Sequence, residues 1–105
     1  YFNELVVDKN KRKVMLFDER IDLTPKEFDL LALMASNPGT SYSRERLLKL
    51  IWGYEFAGYE HTVNSHINRL RVKIEKDLSK PKYILTTWGI GYRFNDDLND
   101  EENVK

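Results

Sequence analysis

The chain has 105 residues, 41% apolar and 32% charged, a balance that supports one globular core and leaves no room for a second domain. It has no cysteine, which excludes disulfides and thiolate metal sites within these residues. With no apolar run of about 18 residues and no basic stretch leading into an apolar one, no transmembrane helix and no secretory signal are expected in it. The formal net charge is zero, but it is unevenly spread: residues 1–94 carry 16 basic against 12 acidic residues, and the acidic excess lies after Phe94.

The first 23 residues read as three short strands, Leu5-Val6-Val7, Val14 to Phe17 and Ile21-Asp22-Leu23, separated by polar stretches as in an antiparallel meander. Tyr1 stands almost inside the first strand, so the chain is expected to be a piece of a longer protein.

Thr24-Pro25-Lys26-Glu27 then opens a helix. Thr24 can accept from the backbone N–H of Glu27, Glu27 can reach back to Thr24, and Pro25 takes the first helical position, where a missing N–H costs nothing. Phe28, Leu30, Leu31, Met34 and Ala35 supply its apolar face, and Asn37-Pro38-Gly39 stops it. Tyr42 falls in a short strand before the next helix, which Ser43 caps and Gly53 ends. Leu47, Leu48, Ile51 and Trp52 form its buried side, and residues 54–59 make an aromatic loop.

The third helix is expected over about Glu60 to Asp77. Val63, Ile67, Leu70 and Ile74 form one stripe about 60° wide at about 100° per residue. Tyr83 to Thr86 and Tyr92 to Phe94 read as two strands joined by Thr87-Trp88-Gly89-Ile90-Gly91. Residues 95–105 form an acidic tail without apolar periodicity, expected to be disordered. Strands, three helices and a hairpin in this order make an α+β winged helix, a helix-turn-helix variant with an N-terminal antiparallel sheet and a C-terminal hairpin wing. The domain is placed at 1–94.

A narrow buried stripe leaves most of the third helix exposed, and the residues there suit a DNA major groove. Arg69 can donate two bonds to a guanine edge, Asn68 can pair with adenine, and Val72 or Ser65 can touch a thymine methyl. Thr62, His66, Arg71, Lys73 and Lys76 lie on flanks where phosphates would run and would set position without reading sequence. From Arg69 to Lys82, six cations face only Glu75 and Asp77, the kind of basic stripe that phosphate binding needs. The competing reading is a solvated helix face, with Arg71 and Glu75 spaced as an ion pair. At the hairpin, Thr86 and Thr87 offer hydroxyls to phosphates, while Trp88 either lies against DNA or folds back on the domain.

Catalysis finds no footing. His61 and His66, five residues apart, do not share a helix face as metal ligands would, and no hydrolase, metalloprotease or nucleotide-loop sequence occurs. No enzyme activity and no cofactor are expected. The alternative to DNA binding is a protein-interaction module on the same scaffold, anchored by Tyr54, Phe56, Tyr59 and Trp88.

Several blocks in order carry a resemblance: Leu23-Thr24-Pro25-Lys26-Glu27-Phe28-Asp29-Leu30-Leu31, Ser43-Arg44 with Leu47-Leu48, Trp52-Gly53-Tyr54, Thr62 through Arg71, and Gly89-Ile90-Gly91-Tyr92-Arg93-Phe94. From about Leu5 to Phe94 the chain resembles the C-terminal effector domain of OmpR/PhoB-family response regulators. The resemblance implies sequence-specific binding of double-stranded promoter DNA and an N-terminal sheet of four strands. In the whole protein it implies a receiver domain phosphorylated by a sensor histidine kinase. It further implies head-to-tail dimers on direct repeats, a bacterial cytoplasmic setting, and RNA polymerase contact through the loop Gly53, Tyr54, Glu55, Phe56, Ala57, Gly58 and Tyr59. Family DNA contacts carry over to His61, Thr62, Ser65, His66, Asn68, Arg69, Arg71 and Thr86. The chain departs from the common pattern at His61, Asn64, Ser65, Val72 and Trp88, the last standing where many members have Arg.

Overall fold

In the computed structural model, residues 4–53 and 59–98 are described. The N-terminal meander consists of β1 (Leu5–Asp8), β2 (Lys13–Leu16) and β3 (Glu19–Ile21), paired antiparallel in the order β1-β2-β3. Among the described residues this sheet has three strands rather than the four that the resemblance implies. The third strand is also displaced toward the N-terminus, because Phe17 and Asp18 turn the chain with positive φ of 50° and 65°. That two-residue turn matches the twist of the strands and pairs Leu16 with Glu19 at once.

Helix α1 (Pro25–Ala35) begins with the capping box expected of Thr24 and Glu27. The Glu27 N–H donates to Thr24 Oγ1 at 3.3 Å, and the Thr24 N–H donates to Glu27 Oε1 at 3.1 Å. Strand β4 (Ser41–Ser43) holds Tyr42 and runs into α2 (Arg44–Trp52), whose N-cap Ser43 accepts from the Arg46 N–H at 3.0 Å. Gly53 ends α2 at a φ of 104°.

Helix α3 spans His61–Ile74 and stops three residues before the expected end. Glu75 is extended, at φ −93° and ψ 130°, so Lys76 lies beyond the helix. The cause is long-range. The Glu75 carboxylate accepts from the backbone N–H groups of Lys82, Tyr83 and Ile84, gathering the strand that follows onto the end of the helix. It does not pair with Arg71.

β5 (Ile84–Thr87) and β6 (Gly91–Phe94) form the wing, and β4 adds to it in the order β4-β6-β5. Gly91 is required there, since a Cβ would lie 1.9 Å from the Tyr42 carbonyl oxygen. The core joins Leu30, Leu31 and Met34 of α1, Leu47 of α2 and the α3 stripe Val63, Ile67, Leu70 and Ile74. Leu5 and Val14 seal it from the first sheet, Ile84 and Phe94 from the second. Each such side chain contributes roughly 1.5–3 kcal/mol on burial. The folded body continues past Phe94. Asn95 donates to the Tyr83 and Lys82 carbonyls, and Leu98 is buried in the core, so the boundary at residue 94 falls too early. Residues 99–105 lie outside the described residues.

Candidate nucleic-acid interface

Helix α3 turns about 100° per residue, so its circumference divides into four faces. The stripe from Val63 to Ile74 is buried in the core and docked on α1 and α2.

One flank, with Asn64 and Arg71, belongs to the wing. Tyr92 donates its hydroxyl to Asn64 Oδ1 at 2.7 Å. Arg71 donates from Nε and Nη2 to the Ile84 carbonyl, at 3.2 and 3.0 Å, and from Nη2 to Thr86 Oγ1 at 2.9 Å. Its guanidinium carbon also lies 5.2 Å from the centre of the Tyr92 ring.

The opposite flank, with His66 and Lys73, belongs to α1 and α2. His66 Nδ1–H donates to the Thr62 carbonyl at 2.8 Å, and its ring meets Trp52 edge to face with centroids 4.8 Å apart. Lys73 donates to Glu27 Oε1, a carboxylate only 1% exposed. Burial alone would raise the Glu27 carboxyl. The Lys73 ammonium and the Thr24 N–H outweigh it, with a smaller contribution from His66, and hold it below the ordinary carboxylate range. One buried carboxylate thus caps α1 and fixes the tilt of α3.

The fourth face looks outward. His61, Ser65, Asn68 and Val72 succeed one another along it, with Thr62 and Arg69 to one side. Asn68 and Arg69 are exposed, Thr62 and Ser65 half-buried, and Val72 is 65% exposed. His61 stacks on Tyr59, with ring centroids 5.6 Å apart. No side-chain hydrogen bond or ion pair among the described residues engages Ser65, Asn68 or Arg69, and Asn68, Arg69 and Val72 stand exposed.

The wing holds the remaining expected residues. Thr86 Oγ1 accepts from Arg71, and Thr87 Oγ1 accepts from Arg93 Nη1 at 2.9 Å while sharing a 2.9 Å hydrogen bond with Ser41. Trp88 is 89% exposed at the tip, beside Gly89 at φ +81°, and has not folded back on the domain. Lys76 is exposed past the end of α3.

The thirteen residues expected on DNA therefore separate into two groups. His61, Thr62, Ser65, Asn68, Arg69 and Val72 form the outward ridge; Trp88 is exposed at the wing tip, and Lys76 lies beyond α3 in a hollow with Glu4, Phe17 and Tyr83. His66, Arg71, Lys73, Thr86 and Thr87 are engaged by other parts of the fold. Arg44 was missed by sequence reasoning. It stands at the first position of α2 and lines a cleft of about 320 Å³ with Trp88, Ile90 and Tyr92. Its place after the Ser43 cap was legible, but its approach to the wing tip depends on β4 pairing with β6. Of the aromatic loop, only Gly53 and exposed Tyr59 are described; Tyr54, Glu55, Phe56, Ala57 and Gly58 lie outside the described residues.

Among the described residues no group of three or more His, Asp or Glu side chains is placed to hold a metal ion, and no helix is long and apolar enough to cross a membrane.

The family described as "Transcriptional regulatory protein, C terminal" matches residues 18–94. The chain is 48% identical over 92 residues to the uncharacterized transcriptional regulatory protein YclJ of Bacillus subtilis, covering 87% of this chain and 40% of that protein. Its fold superposes on the response regulator DrrB, an OmpR/PhoB homolog of Thermotoga maritima, with a TM-score of 0.85 and 39% identity, over 90% of this chain and 43% of that one. The DNA-binding domain of Klebsiella pneumoniae RstA, solved in complex with the RstA box, matches at a TM-score of 0.81 and 34% identity, over 90% of this chain and 94% of that one. The chain spans about 40% of the length of the curated relatives it matches.

Proposed function

Because the chain belongs to the C-terminal family of transcriptional regulatory proteins, the DNA-binding output domains of OmpR/PhoB-type response regulators, we propose that its α3 ridge reads promoter DNA in the major groove while the wing lies on the adjacent backbone and minor groove. The observation that carries this reading is the ridge itself: a base-reading set of side chains left without internal partners on a helix otherwise held on three faces. Arg69 and Asn68 suit purine edges, and Val72 and Ser65 suit a thymine methyl. Thr62, His61 and the Lys76 ammonium would meet phosphates. His66, Arg71, Lys73, Thr86 and Thr87 position these groups rather than touching bases.

The chain works without catalysis. In the whole protein a receiver domain, phosphorylated by a sensor histidine kinase, would precede it in the bacterial cytoplasm, and two copies would sit head to tail on direct repeats. The Gly53–Tyr59 loop is the segment assigned to RNA polymerase; exposed Tyr59 at its described end supports that assignment. The testing experiment is selection of bound duplexes from a random pool. Enrichment of a motif with half-sites about one helical turn apart is expected. No enrichment, or binding indifferent to salt, would overturn the reading.

A further inference from the structure

A hollow of about 640 Å³ opens between the β2–β3 turn, the segment that follows α3 and the start of β5. Phe17 forms its exposed apolar wall, and the buried residues Ile74 and Tyr83 lie behind it. Phe17 stands there against two preferences at once. Its φ of +50° is left-handed, at a hairpin turn position that favours Asn or Gly and that a bulky side chain rarely takes. Its ring is 59% exposed to water. The turn itself is closed by backbone alone, through the Phe17 N–H on the Glu4 carbonyl at 3.0 Å and the pairing of Leu16 with Glu19. A residue held in a rare conformation without gain to the fold points to a use outside it.

The rim of the hollow is cationic where it is free. Lys82 donates to Glu4 Oε1 at 3.0 Å, and the two charges offset each other. Asp77 Oδ1 accepts from the Ser79 N–H and hydroxyl, at 2.9 and 2.7 Å, and so serves its own turn. Lys76 and Lys80 are exposed, and neither ammonium has a partner among the described residues. The turn that carries Lys80 is already closed by the Lys80 N–H on the Asp77 carbonyl at 3.0 Å.

Three anionic partners could meet this rim, and the wall separates them. A phosphate backbone would use the lysines but leave the Phe17 ring in water. A bilayer surface is flat and does not enter a concave hollow. An acidic chain segment uses both features, since one apolar side chain covers Phe17 while a carboxylate beside it meets Lys80.

We infer that the hollow is a docking site for an acidic protein segment, anchored by an aromatic or aliphatic side chain on Phe17 and by a carboxylate on Lys80. The site does not depend on how α3 reads DNA. Both anchors sit on turns fixed beforehand, so little freedom is lost on binding.

The test titrates the isotope-labelled chain with the capped peptide Glu-Asp-Leu-Phe-Asp-Glu and reads backbone amide shifts. Saturable shifts are expected at Phe17, Asp18, Lys80 and Tyr83, with none from Ser65 to Val72. Phe17→Asn should weaken the peptide about tenfold. Its melting temperature should equal or exceed that of wild type, because Asn suits this turn. Lys80→Glu, at an exposed side chain, should also weaken the peptide and remove most of the salt dependence of its binding. Exchanging Leu-Phe of the peptide for Ser-Ser should abolish saturation. The inference is overturned if the peptide does not saturate, or if Phe17→Asn binds it like wild type. A lower melting temperature for Phe17→Asn would show that the ring serves the fold, and would overturn it too. So would shifts at the same residues that grow with chain concentration alone, which mark an interface between copies. An equal response to phosphatidylglycerol vesicles or to a scrambled duplex, unmoved by Phe17→Asn, would leave only a general anion surface and refute the site.

Discussion

Arg71 of α3 and Thr86 of the wing are joined by a 2.9 Å hydrogen bond from Nη2, and the same Nη2 and Nε donate to the Ile84 carbonyl. A cation expected to meet phosphate is therefore a strut between the reading helix and the hairpin. Arg71→Ala should cost about 1.5–3 kcal/mol in chemical denaturation. Its DNA affinity should fall with the salt slope unchanged. A slope reduced by about one unit in that variant would instead make Arg71 a phosphate contact.

Arg69 and Lys76 should behave in opposite ways. Arg69→Ala should relax preference at one base position and cost about 1–3 kcal/mol on the selected site. Lys76→Ala should weaken all duplexes evenly and lower the salt slope by about one. Titrations of both variants on the selected and a scrambled duplex measure the difference, and a Lys76 effect confined to the selected duplex would contradict its place off the helix.

The Glu27 carboxyl sits below its ordinary value of 4.5, so its contribution to stability is complete above that value and is lost as pH falls through the lower folded one. Lys73→Ala removes the ammonium that offsets burial. That variant should be less stable than wild type at neutral pH and should lose less of its stability on acidification, because protonating Glu27 then relieves an unpaired buried charge. Glu27→Gln should likewise flatten the acid side of the profile. Melting temperatures from about pH 7 down to about pH 3 decide it, and superimposable wild-type and Lys73→Ala curves would contradict the coupling.

Glu75 serves three N–H groups at the start of the wing. Glu75→Ala strands them in a buried place and should cost about 3 kcal/mol or more, since each unsatisfied group costs about 1–3 kcal/mol. Glu75→Gln keeps one acceptor oxygen and should cost less. Denaturant titrations rank the two, and equal losses would show that charge, not acceptance, is what matters.

Two wing glycines should respond differently to alanine. At Gly91 the new methyl meets the Tyr42 carbonyl at 1.9 Å, so β4 must leave β6, at a cost of about 3 kcal/mol. At Gly89 the space is open and only the positive φ resists, which costs about 1–2 kcal/mol. Thermal unfolding of the pair is the check; an equally mild Gly91→Ala would mean that β4 yields easily.

What could be read in the sequence was what neighbours along the chain decide. Thr24, Pro25 and Glu27 announced the start of α1 within four residues, the stripe from Val63 to Ile74 identified the inner face of α3, and the Gly89–Gly91 turn marked the wing. What stayed hidden depends on partners far along the chain. Lys73 looks like an ordinary surface cation until Glu27, 46 residues earlier, folds against it. Helical periodicity placed Arg71 and Lys73 on opposite flanks but could not say that protein already occupied both. Glu75 continued a helical pattern, and only its three backbone donors show why the helix stops. Leu98, one apolar residue among acids, has no periodic signal, so its burial was not legible.

With three sides of α3 committed to the rest of the molecule, stability and the proposed reading of DNA fall to different residues. Exchanging Ser65, Asn68, Arg69 or Val72 removes no described internal bond, so such changes lie among surface substitutions, usually within about 0.5 kcal/mol of neutral. On the proposed function, the ridge could therefore change its target without passing through poorly folded intermediates, whereas changes at Arg71 or Lys73 would weaken the fold first.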